Sequence, residues 1–340
     1  MIAGILVVMI PPSATPRPPL VHHDIRTGRA VFVAPGRDER PTDAELAAAS
    51  GAADAARWCP FCAGNESLTP PDVLRAPAAA AAAWQARIIP NRYPVVAQAG
   101  AASGPGPARP AHGVHEVVIE SPRHDTLVTA VDPAGWRAAW ALVQGRLAAL
   151  ARRDDLAWGT VFKNSGPRAG ASLEHVHSQL VAVDFVPPFL ATEFAAAATL
   201  ADPFATLLEE AAAEGRLVAE LAGLVALVPA APRQPGEVWI VPAAREPHFH
   251  AAPPARALAV ADLTRDLVGR LARILPGADF NWWLHEAAWQ AAASAPGSDR
   301  WHWHLEILPR VNQLAGFELG TGCHITPLAA VEAAARLRDA

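Results

Sequence analysis

"SLEHVHSQLVA", residues 172–182, decides how this chain is read. His175 and His177 stand two apart in an otherwise apolar run, with Gln179 two further on. On a strand, residues i and i+2 point to the same face, so these three side chains are expected on one side of a sheet. Upstream, "WGTVFKNS" (158–165) reads as a second strand. The intervening "GPRAGA" (166–171) carries Gly166 and Gly170, as a turn joining two paired strands requires.

Working outward, "RAVFVA" (29–34), "ARIIPNRYPVV" (86–96) and "HEVVIES" (115–121) are strand-like, and Asp132 caps a helix running to about Arg153. The order then recurs. "GEVWIVPAAREPH" (236–248) echoes "HEVVIESPRH" (115–124), an Ala-rich helix covers about 253–274, and "FNWWLHEAAW" (280–289) precedes "WHWHLEILPR" (301–310). The paired histidines return as His302 and His304. A strand, helix, strand, strand unit used twice predicts a duplicated α+β fold of two antiparallel-sheet halves with flanking helices, residues 21–190 and 191–340, behind a ragged stretch 1–20.

Composition bounds the function. The chain of 340 residues is 51% hydrophobic and 18% charged, as a globular protein is, and its net charge of −5 offers no basic stripe for nucleic acid. Nucleotides remain open as ligands. Lys163 is the sole lysine, which disfavours Schiff-base and Walker-type chemistry. "MIAGILVVMI" (1–10) is too short to span a bilayer and lacks a basic leader, so no membrane association is expected. Three cysteines make no disulfide framework, and a reducing cytoplasm fits them.

Two of those cysteines form "CPFC". Cys59 and Cys62 can grip one tetrahedral ion, and with only Cys323 left, histidines must complete the shell; His124 and His175 stand at strand ends. A redox pair or two buried thiols are the alternatives. A redox motif usually precedes a helix, whereas this one runs into prolines.

Five segments in order, "DIRTGRAVFVAPGRDERP" (24–41), "WCPFCAGNE" (58–66), "IIPNRYPVV" (88–96), "ESPRHDTL" (120–127) and "NSGPRAGASLEHVHSQ" (164–179), resemble the galactose-1-phosphate uridylyltransferase family, a branch of the histidine-triad superfamily. The ending "HWHLEILPRVNQLAGFELGTGCHITP" (302–327) is most similar to ADP-glucose phosphorylase-type relatives. The resemblance covers about residues 21 to 330. It implies a Zn²⁺ site at Cys59, Cys62, His124 and His175, with His177 as the nucleophile that takes a nucleotidyl group from a nucleoside diphosphate hexose. The acceptor it implies is a sugar phosphate or inorganic phosphate, and the assembly a homodimer.

Further roles follow from the same resemblance. Ser172, Asn164 and backbone N–H groups of the turn holding Gly166, Gly170 and Ala171 would lie against the phosphates. Asn91 would face the nucleoside, and Arg37 and Arg40 would approach the phosphates; both arginines also read as surface charges in a polar loop. Hydrolase relatives carry a third histidine where Gln179 stands, so an amide there favours transfer over hydrolysis. Glu193, fourteen residues after Gln179, would join His285, His302 and His304 around a second Zn²⁺ or Fe²⁺, against the alternative of a polar strand face. The phosphorylase-type branch uses a Cys pair for that ion; none lies between residues 200 and 235, and His248 reads as a remnant of it. "FELGTGCHITP" lacks the Tyr-Glu pair of the uridylyltransferases, Cys323 reads as a small buried residue, and Trp282, Trp283, Trp301 and Trp303 read as core.

Overall fold

The structure is a computed structural model and describes residues 18–24, 27, 29–39, 59–79, 83–97, 108–289, 297 and 300–340. β1 (Leu20–His23), β2 (Ala30–Val33) and β5 (Ala108–Pro110) form a small sheet in the order β2-β1-β5. The other strands are β3 (Leu74–Ala76), β4 (Ala86–Pro90), β6 (Gly113–Ile119), β7 (Trp158–Ser165), β8 (His177–Val183), β9 (Leu217–Leu221), β10 (Leu224–Leu227), β11 (Val238–Pro242), β12 (Phe280–His285) and β13 (His304–Pro309). They make one ten-stranded sheet, β3-β4-β6-β8-β7-β12-β13-β11-β10-β9, antiparallel throughout.

The duplication is visible in that order, since β3-β4-β6-β8-β7 on one side answers β9-β10-β11-β13-β12 on the other. The two expected antiparallel halves join into one sheet where β7 pairs with β12, Phe280 opposite Ser165 and Trp283 opposite Phe162. Each half would otherwise expose a row of unpaired backbone groups at that edge, and the fusion satisfies both. Asn281 reinforces the seam by donating from Nδ2 to Asn164 Oδ1 at 2.8 Å.

The helices are α1 (Pro133–Leu150), α2 (Pro188–Ala197), α3 (Pro203–Ala213), α4 (Pro254–Ile274), α5 (Gly316–Thr321) and α6 (Ala330–Asp339). Asp132 caps α1 as expected, its carboxylate accepting from Gly135 N at 3.0 Å, with proline at the first turn. α1 and α4 cover one face of the sheet, where Trp136, Trp140 and Leu147 join Val260, Leu263 and Leu267 over Val118, Val161, Leu180 and Ala182. Trp136 Nε1 donates to Ala261 O at 2.9 Å, tying the helices together. Each fully buried indole removes about 150–250 Å² from water, an upper bound of about 4–6 kcal/mol by area.

The even-numbered residues of β8 therefore face the helices, and His177, Gln179, Val181 and Val183 face the other side. There Val183 packs with Val21 of β1 and with Leu190 and Phe194 of α2, while Cys59, Phe61, Cys62, Trp84 and Leu173 gather at the His177 end. Trp282, Trp301 and Trp303 are buried, as read from sequence, whereas Trp283 is half-buried with the Arg233 guanidinium 5.0 Å from its ring. Cys323 is not buried: it follows α5 in a segment that leaves Phe317, Leu319 and Ile325 exposed, and among the described residues nothing covers it. Among the described residues no helix is long and apolar enough to cross a membrane.

Candidate active site and metal centres

The Cys59–Cys62 segment is a tight turn, with Cys62 N donating to Cys59 O (3.3 Å), Asn65 N to Cys62 O (3.1 Å) and Gly64 at φ +93°. That φ favours glycine, which has no Cβ to clash. Asn65 Nδ2 holds Cys59 O at 2.8 Å, and Ala63 N reaches Pro122 O at 2.8 Å, bringing the turn beside the His124 loop. One ligand atom from each of Cys59, Cys62, His124 and His175 lies within 4.8 Å of the others. Cys59 Sγ is 3.5 Å from His175 Nδ1, and Cys62 Sγ is 3.4 Å from His124 Nδ1.

This donor set fits zinc. His175 Nε2 donates to Ser121 O at 2.9 Å, which leaves the lone pair on Nδ1, the nitrogen that faces the sulfurs. Burial holds the His175 ring down at about 3, so it is neutral near pH 7. Burial also pushes the Cys59 thiol up to about 12 and raises Cys62, so a cation is what would make thiolates of them. His175 precedes β8 rather than lying on it, because its ring turns to the cysteines while the ladder starts at His177.

His177 opens onto a cavity of about 380 Å³ lined also by Gln179, Ser172, Asn91, Tyr93 and Phe61. His177 Nδ1 donates to His175 O at 2.8 Å. That bond places the ring proton on Nδ1 and the lone pair on Nε2, the arrangement an attacking imidazole needs. Gln179 is oriented through His115, which sequence reasoning missed. Val95 N donates to His115 Nδ1 (3.1 Å), which puts the His115 proton on Nε2, 2.9 Å from Gln179 Oε1, with Asn91 Nδ2 also 3.0 Å from that nitrogen. The Gln179 amide is thereby turned with its oxygen toward His115 and its NH₂ away from it, a donor with no proton to shuttle. Asn91 Oδ1 accepts from Tyr93 N at 2.8 Å, which fixes the cavity rim.

Behind His177, on the helix side, lies a second group that sequence reasoning missed. Lys163 and Glu120, 2% and 3% exposed, form an ion pair. Lys163 Nζ also donates to His177 O at 2.8 Å, and Ser178 Oγ donates to the other Glu120 oxygen at 2.5 Å. Trp136 and Trp282 enclose the ammonium at 5.9 and 5.4 Å. The lone lysine of the sequence thus holds the first residue of β8.

The turn of residues 166–171 departs from the expected phosphate cradle. Arg168 N donates to Asp279 Oδ2 (2.6 Å), Ala169 N and Ala171 N to Gly166 O, and Gly170 N to Pro167 O. These N–H groups are engaged within the turn and by a carboxylate, and of the residues Asn164, Gly166, Gly170, Ala171 and Ser172 only Ser172 lines the cavity. Asn164 is held at the seam by Asn281. Arg37 donates to Tyr93 O at 2.8 Å, beside the cavity wall, and Arg40 lies outside the described residues.

In the second half, His285, His304 and Glu306 bring ligand atoms within 4.8 Å of one another. Glu193 Oε2 lies 3.4 Å from His285 Nδ1, and both atoms are buried without a hydrogen-bond partner, as acceptors beside a cation site would be. His302 does not join the group. It precedes β13, its ring stacks on Phe204 (5.0 Å) and its Nδ1 donates to Pro242 O (3.1 Å), while its Nε2, buried and without a hydrogen bond, lies 3.8 Å from Asp202 Oδ1. Glu306 is the added member, two residues after His304 as Gln179 is after His177. The repeat extends to hydrogen bonding, since His304 Nδ1 meets His302 O (3.2 Å) as His177 Nδ1 meets His175 O. Burial opposes ionisation of Glu306, but His304 and Arg233 outweigh it and hold the carboxyl at about 2.

Residues 19–187 match the N-terminal domain of galactose-1-phosphate uridyl transferase, and residues 146–339 match a domain of unknown function, DUF4921. An ADP-glucose phosphorylase of Arabidopsis thaliana is 30% identical over 328 residues, covering 94% of this chain and 93% of the relative. A galactose-1-phosphate uridylyltransferase of Thermotoga maritima is 25% identical over 248 residues, 69% of this chain and 77% of the relative. The crystal structure of an Arabidopsis thaliana ADP-glucose phosphorylase with bound ADP-glucose superposes with a TM-score of 0.75 at 28% identity, covering 95% of this chain and 99% of that one. The chain belongs to the galactose-1-phosphate uridylyltransferase family and is an enzyme of that family, with ADP-glucose phosphorylase among its relatives.

Proposed function

We propose that this enzyme transfers a nucleotidyl group, UMP or AMP, from a nucleoside diphosphate hexose to a hexose 1-phosphate in two displacements through His177. The observation that carries the reading is the His177 Nδ1 bond to His175 O, made in a ring that lines the cavity with Gln179, Ser172 and Asn91. In the first displacement His177 Nε2 bonds to the α-phosphorus and the bond to the leaving hexose 1-phosphate oxygen breaks. In the second, an acceptor phosphate oxygen bonds to the same phosphorus and the P–N bond breaks, returning the neutral imidazole. The Gln179 NH₂ and the Ser172 hydroxyl donate to the phosphoryl oxygens as charge gathers there, with Asn91 toward the nucleoside and Arg37 beside it.

Lys163 and Glu120 keep the nucleophile's backbone in place. Cys59, Cys62, His124 and His175 would hold a Zn²⁺ that anchors the start of β8, and a second Zn²⁺ or Fe²⁺ would sit on His285, His304, Glu306 and Glu193. The division near residue 190 into two halves is part of the same reading, as are a homodimer, supported by exposed Phe317, Leu319 and Ile325, and a cytoplasmic setting that keeps the thiols reduced.

A second reading takes inorganic phosphate as the acceptor, which the similarity to an ADP-glucose phosphorylase over nearly the whole chain favours. Initial rates test both. Parallel double-reciprocal lines with UDP-glucose or ADP-glucose as donor support covalent transfer, and the acceptor that gives turnover, galactose 1-phosphate or phosphate, selects between them. Intersecting lines with every pair contradict the two-displacement mechanism.

A further inference from the structure

The second half holds a cluster that the chemistry above does not use. His248 and His250 flank Phe249 where the chain turns after β11, and Glu286 follows β12. Glu286 is wholly buried. His250 Nδ1 lies 3.0 and 3.1 Å from its two oxygens, His250 N donates to Oε2 at 3.3 Å, and Trp289 Nε1 donates to Oε1 at 2.6 Å. One ligand atom from each of His248, His250 and Glu286 lies within 4.8 Å of the others.

Two observations say that this group is built for a cation. A carboxylate removed from water needs a positive partner. Among the described residues no arginine or lysine pairs with Glu286; its one ion-pair partner is His250, which supplies charge only when protonated. Independently, His248 Nδ1 is buried with no hydrogen-bond partner. The same ring contacts the Ala287 backbone, a contact that falls to Nε2, so Nδ1 carries a lone pair that no donor among the described residues meets.

We propose that His248, His250 and Glu286 form a further metal site, for a divalent ion of the zinc class. Two imidazoles and one carboxylate select Zn²⁺ and its neighbours over Mg²⁺ or Ca²⁺, and three protein ligands leave a fourth position open. The ion takes the lone pairs of His248 Nδ1 and His250 Nδ1 and one Glu286 oxygen. The His250 ring proton moves from Nδ1 to Nε2, so no proton is released. His250 is 16% exposed while Glu286 is 0%, which gives the ion an entry from solvent on one side only. The proposal is independent of the reaction assigned to His177.

The full chain, equilibrated with Zn²⁺ and freed of excess, is assayed for zinc per chain alongside His250→Ala and Glu286→Gln. Each variant is expected to lose one equivalent. Cobalt substitution serves as the folding control, because the thiolate charge-transfer band reports the Cys59/Cys62 site alone. A His302→Ala variant must keep the equivalent that His250→Ala loses. Glu286→Gln preserves shape and the Trp289 bond, and decides the matter should His250→Ala lose the cobalt band. Unchanged zinc content in folded Glu286→Gln overturns the proposal. So does a crystal whose anomalous zinc signal is full at Cys59 and absent between His248 and Glu286.

Discussion

Replacing Lys163 by Met separates the support of His177 from the chemistry proposed for it. The side chain is 2% exposed and its partner Glu120 is 3% exposed, so the substitution leaves a carboxylate buried with Ser178 Oγ as its remaining donor. Removing one member of a buried pair costs about 3–5 kcal/mol. For a chain of this size that is a fall of about 6–10 °C in Tm, at roughly 2 °C per kcal/mol. Glu120→Gln in the same chain removes the stranded charge and still accepts from Ser178, so Lys163→Met/Glu120→Gln should regain at least half of the loss, a coupling of about 2 kcal/mol. Activity should behave differently. Both variants lack the donor that meets His177 O at 2.8 Å, a bond from a charged group worth about 1.5–3 kcal/mol, so kcat should stay low, about 10-fold or more below wild type, after stability returns. Thermal melts and steady-state rates on the four proteins of the cycle are the assay. A Tm within 2 °C of wild type for Lys163→Met, or full recovery of kcat in the paired variant, would refute the assigned role.

Other expected outcomes follow from single contacts. Gln179→His puts an acid/base group where the amide now donates, and release of free nucleotide to water should rise at least about 10-fold over wild type, measured without acceptor; a ratio of hydrolysis to transfer that stays unchanged contradicts the reading. Zinc at Cys59 and Cys62 competes with thiol protons that burial holds on, so lowering pH below the raised thiol values favours release, by up to about 100-fold per unit for two protons. A chelator should therefore strip zinc at about pH 6 far faster than at about pH 8, and pH-independent loss would argue that the thiols do not ligate. Gly166→Ala should destabilise by about 1–3 kcal/mol in urea unfolding, because its φ is +87° and the new Cβ would stand 2.1 Å from Asp279 Oδ1; a neutral effect would mean that the turn is not pinned by Asp279.

Much of the site was legible because its signals are local. The Cys59–Cys62 spacing, the His175–His177 pair and the glycine turn each encode geometry within a few residues, and the strand and helix around each follow from short-range pattern. The repeat also made the paired order of strands readable. What escaped the sequence depends on contacts between distant segments. Fusion of the halves at β7 and β12 is an edge pairing between residues more than a hundred apart, with no marker in either strand. The turn N–H groups were expected at a phosphate, but Arg168 N meets Asp279, just before β12, and those of Ala169, Gly170 and Ala171 meet carbonyls of the turn itself. Lys163 sits in an alternating strand pattern that gives no sign of Glu120 behind it. His302 was expected beside His304 on a strand, yet the strand begins one histidine later, and Glu306, legible as the counterpart of Gln179, takes its place. Cys323 was read by type as buried, and only the path of the chain after α5 shows it exposed.

The most direct test of the account is whether His177 becomes covalently nucleotidylated. Zinc-loaded enzyme is mixed with α-phosphorus-labelled UDP-glucose, and separately with ADP-glucose, in the absence of acceptor, then denatured and digested. Acid-labile, base-stable label is expected on the peptide holding His177, about one per chain with the true donor, absent from folded His177→Ala and chased by the acceptor. Sustained turnover in the presence of acceptor, with no label at His177 at any time after mixing, would contradict it.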